Sequence, residues 1–320
     1  MVRFTLVLAL MLSASAYAAE FRWLNSWDRN YAAIPSLIEP YIKEVEAASN
    51  GSIKINVSGP ETVPPLEQLQ PVAAGAFHFL YTHGAYHFGI MPLATVFEAL
   101  GGDPQARRDA GLVDFLEKQY RKIGLKLVFA PMTPNGNYAL ILRQPPTANG
   151  DLQGRKIRAT PTYNGLIRHL GATPVQLPPA DIYTSLDKGV VDGAAWGVTG
   201  PLPYRWYEVS KYLLRPAIGF NLNPVLMNLE AWNRLKPEQQ KILTDVGKKY
   251  EDLWYREAGR QMAEEEKALV GKGMKVVEMG PVQQQKLQAA WADGLWDMGL
   301  ASKARKEVEE MRALAKAKGL

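Results

Sequence analysis

One stretch constrains the fold more than any other. Residues 151–196, DLQGRKIRATPTYNGLIRHLGATPVQLPPADIYTSLDKGVVDGAAW, switch back and forth between strand and helix periods. Lys156-Ile157-Arg158 is short and β-prone, and Gly154 precedes it. Tyr163, Leu166, Ile167 and Leu170 then recur at the spacing of one helix face, and Gly171 ends that helix. Residues 173–177 read as a second strand. Pro178-Pro179 open a second short helix, whose apolar residues Ile182, Tyr183 and Leu186 lead to Gly189. Residues 190–196 leave it as a third strand. Such an alternation builds an α/β fold with parallel strands. Ligands of open α/β sheets bind outside the carboxyl ends of the strands. Arg158 and Trp196 both fall at such ends, so the two are expected to face one ligand.

The rest of the chain continues the pattern. Residues 21–26 and the alternating Ile53, Ile55 and Val57 read as strands, with a helix face of Leu37, Ile38, Tyr41, Ile42 and Val45 between them. A helix is expected at 66–74 and a buried strand at 77–82. Leu112, Phe115, Leu116, Tyr120 and Ile123 line a further helix, followed by a strand at 125–130. Residues 138–143 and 225–229 read as strands that pair at long range. From Pro237 to about Val270 there are few helix breakers, so one very long helix is expected, or two helices broken near Gly247 or Gly259. No internal repeat and no Gly-, Ser- or Pro-rich linker separates independent units.

Composition excludes several functions. The chain has 320 residues and no cysteine, so disulfides and thiolate chemistry are out of reach. Its net charge of +5 is spread along the chain, with no basic stripe interleaved with aromatics, so nucleic acid is not an expected partner. At the N-terminus, Arg3, the apolar run 4–12 and Ala16-Tyr17-Ala18 have the form of a cleaved secretory signal peptide covering residues 1–18. The apolar run is too short to span a bilayer, so no direct membrane insertion is expected. The mature chain is expected in the periplasm.

The 151–196 stretch closely resembles the DctP-type solute-binding subunits of tripartite ATP-independent periplasmic (TRAP) transporters. Their pattern D-L-x-G-x-K-[IV]-R, L-G-A-x-P-V and Y-x-x-L-x-x-G-V-V-D-G is met here by residues 151–158, 170–175 and 183–193. The resemblance implies a bilobal periplasmic-binding-protein fold, with two α/β domains joined by hinge strands and a long spanning helix. It places the first domain at 19–134 plus 224–259 and the second at 135–223 plus 260–320, with the ligand cleft between. It implies a protein that captures a small organic acid and passes it to membrane TRAP permease subunits, with no catalysis and no cofactor.

The resemblance also implies site residues. Arg158 would clamp the ligand carboxylate, since a guanidinium fork matches that group bidentately. Trp196 stands where the sugar-acid binders carry asparagine in Q-E-N-P, and so resembles a subgroup that includes 2-oxo-acid binders. Those binders hold a metal ion with a glutamate, but the matching residue here is Ala195, so no metal is expected. Tyr138 replaces a second arginine with a ring and one hydroxyl. Trp27, Tyr81, Tyr86 and Phe220 lie in segments that approach the cleft, and Thr82 and Asn221 could add polar contacts. One arginine among many rings favours a monocarboxylate with a compact apolar or aromatic body. A sugar acid would leave hydroxyls unpaired in a closed cleft.

Other readings keep some of these features. A binding protein of an ABC importer or a sensor shares the bilobal logic. A periplasmic enzyme acting on small carboxylic acids would need a base, for which only His83 or His87 could serve near neutral pH. The same pair has the four-residue spacing of some zinc sites, but Gly84 intervenes and no third ligand is evident. His78 stands where the family commonly has aspartate.

Overall fold

The computed structural model describes residues 19–147 and 150–320; the expected signal peptide lies outside them. The first sheet is built from β1 (Ala19–Asn25), β2 (Ile53–Ser58), β3 (Phe79–Tyr81), β4 (Leu125–Phe129) and β10 (Val225–Asn228), in the order β2-β1-β3-β10-β4. β1 runs parallel to β2 and β3, whereas β10 is antiparallel to β3 and β4. Trp23 and Leu24, adjacent on β1, are both fully buried, because helices cover both faces of a central parallel strand. His78 extends this ladder beyond β3: the Arg22 amide donates to its Nδ1 at 2.9 Å.

The second sheet contains β5 (Tyr138–Leu142), β6 (Lys156–Ala159), β7 (Thr173–Gln176), β8 (Gly193–Gly197), β9 (Tyr212–Ile218) and β11 (Lys275–Glu278), in the order β11-β9-β5-β8-β6-β7. β6 is parallel to both β7 and β8. The third strand starts at Gly193 rather than at 190, because the amide of Val190 and that of Val191 turn back onto the carbonyl of Ser185. The two sheets with their helices form the expected bilobal α/β fold.

The chain crosses between the sheets along residues 130–137 and 219–224. These segments run antiparallel: Thr133 N donates to Asn221 O at 3.0 Å, and Gly136 N donates to Gly219 O at 2.7 Å. The helix Pro237–Gly271 makes a third crossing, unbroken over 35 residues. Its first half packs on the helix Glu39–Ala48 and on β4. Near its end, Glu265 Oε1 accepts from the amides of Gly200 and Leu202, both at 2.7 Å. Gly247 is no break; a Cβ there would lie 2.8 Å from Phe129 Cβ, so glycine lets helix and strand approach closely.

The C-terminal region departs from the expected boundary. The helix Pro281–Leu300 packs on both halves, meeting the helix Asn164–His169 of the second and Pro92–Val96 of the first. The helix Arg305–Ala317 then packs on Leu112–Lys122, in the first half and not in the second. The reason is its apolar stripe: Val308, Met311 and Ala315 are buried in the cluster that holds Leu116 and Tyr120.

Two histidines read as possible zinc ligands or bases are both engaged by protein side chains. His87 Nε2 lies 2.9 Å from Tyr120 Oη, and His83 Nε2 lies 2.9 Å from Glu98 Oε1. Burial pulls the His87 imidazole down to about 3, with His83 acting in the same sense. The unfolded chain therefore binds this proton more readily. The stabilisation from keeping His87 neutral is complete above about pH 6.5 and is lost as the pH falls from there toward 3. Melting temperatures of the wild type and His87→Gln should converge as pH is lowered from 7 to 4. Parallel curves would show that His87 is not the source.

Candidate functional site

The carboxyl ends of β8, β6 and β7 lie side by side and fix Arg158. In register, Arg158 stands between Ala194 on β8 and Val175 on β7. Its guanidinium is pinned by one carbonyl from beyond each neighbour's position: Nε and Nη2 donate to Leu177 O at 3.1 and 3.0 Å, and Nη1 donates to Ala195 O at 3.1 Å. The side chain is 99% buried, since only 1% of its surface stays exposed. Among the described residues it has no carboxylate partner within 4.0 Å. Burial lowers the guanidinium from its ordinary value, while the hydroxyls of Tyr86 and Tyr163 act the other way. The Trp196 ring centre lies 5.0 Å from the guanidinium carbon.

The opposing wall comes from residues just past the ends of β1 and β3. Trp27 stacks on Tyr31 with ring centres 4.3 Å apart, and its indole N–H donates to Tyr86 Oη at 3.1 Å. Tyr31 Oη in turn accepts from Asn223 Nδ2 at 2.8 Å. Both hydroxyls act as acceptors here, so each retains its own hydrogen to donate. Burial holds the Tyr31 and Tyr86 hydroxyls above their ordinary range, which keeps them protonated donors. The two walls touch: Tyr31 meets Trp196 edge-on at 6.3 Å, and Tyr204 Oη donates to Asp28 Oδ1 at 3.2 Å.

Between the walls lies a small cavity, with room of about 30 Å³. Arg158, Trp196, Tyr138, Trp27, Tyr86 and Asn221, all expected at the site, line it together. The Asn221 side-chain amide makes no hydrogen bond to the protein among the described residues. The lining is thus one cation, several rings and a few hydroxyl and amide donors, which suits a small anionic molecule.

A profile of the bacterial extracellular solute-binding proteins, family 7 (DctP), matches residues 36–298. The chain belongs to this family. Among curated relatives, the monocarboxylate 2-oxoacid-binding periplasmic protein all3028 of Nostoc sp. is 27% identical over 249 residues, 72% of this chain and 66% of that protein. The ectoine-binding periplasmic protein TeaA of Halomonas elongata is 29% identical over 139 residues, 42% of this chain. The chain therefore spans 66% and 39% of the lengths of these two relatives. Among solved structures, a TRAP periplasmic solute-binding protein from Desulfovibrio salexigens with bound orotic acid superposes with a TM-score of 0.84 at 20% identity, over 93% of this chain and 98% of that one. Among the described residues, no helix is long and apolar enough to cross a membrane.

Three residues expected at the site of this DctP-family chain lie elsewhere. Tyr81 sits behind Trp27, with its hydroxyl accepting from Asn223 Nδ2 at 3.2 Å. Thr82 Oγ1 accepts from Ser26 Oγ at 2.8 Å and belongs to a buried polar cluster. Phe220 faces away from the cavity because its neighbour Asn221 faces in; its ring lies 3.5 Å beneath the Arg107 guanidinium. Conversely, Tyr31, His83, Thr160, Tyr163 and Gly197 line the cavity without having been singled out as ligand contacts.

Proposed function

We propose that this DctP-family chain captures a small monocarboxylate with a compact apolar or aromatic body and delivers it to a TRAP permease from the periplasm. One observation carries the reading: the buried Arg158 guanidinium, held on the cavity wall without an anionic partner. A buried cation is costly unless an opposite charge meets it. A ligand carboxylate would supply that charge, with the Tyr86 and Tyr31 hydroxyls placed as further donors. Trp27, Tyr138, Tyr163 and Trp196 would bury the body of the acid. The 2-oxoacid relative and the orotate-bound structure support an acid of this size. The hinge segments and long helix would let the walls part to admit it. The enzyme alternative loses one of its two candidate bases, because His87 is engaged with Tyr120.

A thermal-shift screen of the purified protein tests this reading. Aromatic, 2-oxo and 2-hydroxy monocarboxylic acids should raise the melting temperature, and their matched amides should not. If no acid shifts it, and mass spectrometry of the denatured protein finds no acid carried over from the host, the reading is overturned.

A further inference from the structure

Glu98 is a strongly polar group beside the cavity that carboxylate capture leaves unused. Its side chain is buried. Three donors converge on one oxygen, Oε1: Tyr138 Oη, His83 Nε2 and the Leu222 amide, each at 2.9 Å. The other oxygen, Oε2, is buried with no partner. His83 Nδ1 accepts from the Ala85 amide at 3.2 Å, which turns Nε2 toward Glu98. Arg107 acts on Glu98 only from a distance. Its donors go to the carbonyls of Leu100, Gly101 and Gly102 and to the Met132 sulfur.

Glu98 reaches the cavity through its partners. Tyr138 and His83 both line the wall; Tyr138 Oη donates to Glu98, and His83 Nε2 lies 2.9 Å from Glu98 Oε1 and 3.0 Å from Tyr138 Oη. The Tyr138 oxygen, not its hydrogen, is therefore left toward a ligand. Tyr163, also in the wall, is under the influence of both Arg158 and Glu98. The cavity thus carries a cationic clamp at one place and an acceptor backed by a carboxylate at another.

We propose that Glu98 is a specificity determinant of this site, excluding ligands with a second anionic group and admitting those whose far end is neutral or donates a hydrogen bond. The proposal rests on the reading of Arg158 as the carboxylate clamp. In a low-dielectric cleft, two like charges a few ångströms apart cost on the order of tenfold to hundredfold in affinity. The same acceptor would reward a hydroxyl, amide or ammonium placed there.

The test is calorimetric titration with pairs of acids matched in carbon skeleton: 2-oxopentanoate with 2-oxoglutarate, pentanoate with glutarate, and 4-methylbenzoate with terephthalate. The wild type should prefer the monocarboxylate of a bound pair by about tenfold or more. Glu98→Gln, which keeps the side-chain shape, should shrink that preference at least severalfold, chiefly by improving the dicarboxylate. A merely structural role would weaken both members and leave their ratio unchanged. Tyr138→Phe, which removes the relay but not Glu98, gives a second variant and should move the ratio in the same direction. Equal wild-type affinity within the pairs, or an unchanged ratio in the folded variants, overturns the specificity role. If Arg158→Ala still abolishes monocarboxylate binding, the clamp survives that failure. Absence of binding to every acid overturns the clamp reading and this proposal together.

Discussion

Arg158→Ala should weaken capture of the acid by about a hundredfold or more. Breaking a buried charge pair by removing one partner costs roughly 3–5 kcal/mol, and each 1.4 kcal/mol is about tenfold in affinity. The geometry makes the loss hard to repair. Two backbone carbonyls, Leu177 O and Ala195 O, hold the planar guanidinium from either side. A lysine is a point charge on a flexible stem and cannot fill both contacts and still face a ligand. Arg158→Lys should therefore recover little of the affinity. The ligand-free protein should respond in the opposite sense. Without an anion, Arg158 is a buried and unpaired cation, so Arg158→Met should leave the empty protein as stable as the wild type or more so. Calorimetry and thermal melting of the same variants read both effects. Wild-type affinity in Arg158→Ala would place the clamp on another residue.

Gly219→Ala should be among the most damaging small substitutions in the chain. Gly219 has φ of +59°, where a side chain costs roughly 1–2 kcal/mol. Its Cβ would also lie 2.6 Å from the Trp291 ring, a collision for which overpacking costs about 1–3 kcal/mol. The ring cannot yield cheaply, because it packs on Tyr138 and Tyr163 with centres 5.0 and 5.9 Å away. The Gly219 carbonyl also accepts from the amides of Gly136 and Asn137, which join the two hinge segments. A shift here would reach the hinge and the cavity wall together. Together the terms predict a loss of about 2–5 kcal/mol in stability by denaturant unfolding, with weaker ligand binding in the molecules that remain folded. A variant as stable as the wild type would show that the hinge can relax around a methyl group.

Much of the site was legible because it follows from strand order. Once β6 and β8 are recognised as parallel neighbours, Arg158 and Trp196 must share one edge of the sheet. Tyr163 was harder to see. Its spacing with Leu166, Ile167 and Leu170 marks a buried face, and Tyr163 is buried, but it starts that face at the end nearest the cleft. Phe220 and Asn221 show the limit of reading an extended segment without its register. One of two neighbours must face the cavity, and composition does not say which. Glu98 carried no motif, and the spacing of His83 with His87 pointed away from it, since the Glu98–His83 link depends on a contact between a helical segment and a loop. The C-terminal helices followed the same logic. An amphipathic stripe at 308, 311 and 315 predicts a buried face, but not which half of the molecule covers it.

The position of β10 has a consequence for how the protein forms. This strand lies between β3 and β4, yet it follows the whole of β5 to β9 in the chain. Until residue 228 is present, β3 and β4 have no partner between them and their inner edges are open. The first half therefore cannot finish before most of the second has been made. The last helix, covering Leu116 and Tyr120 from residues 305–317, delays completion further. A chain that emerges from its N-terminus onward cannot settle one half at a time. It acquires its native state only near the end of its length, and truncation anywhere before 228 should yield an aggregation-prone fragment rather than a smaller folded unit.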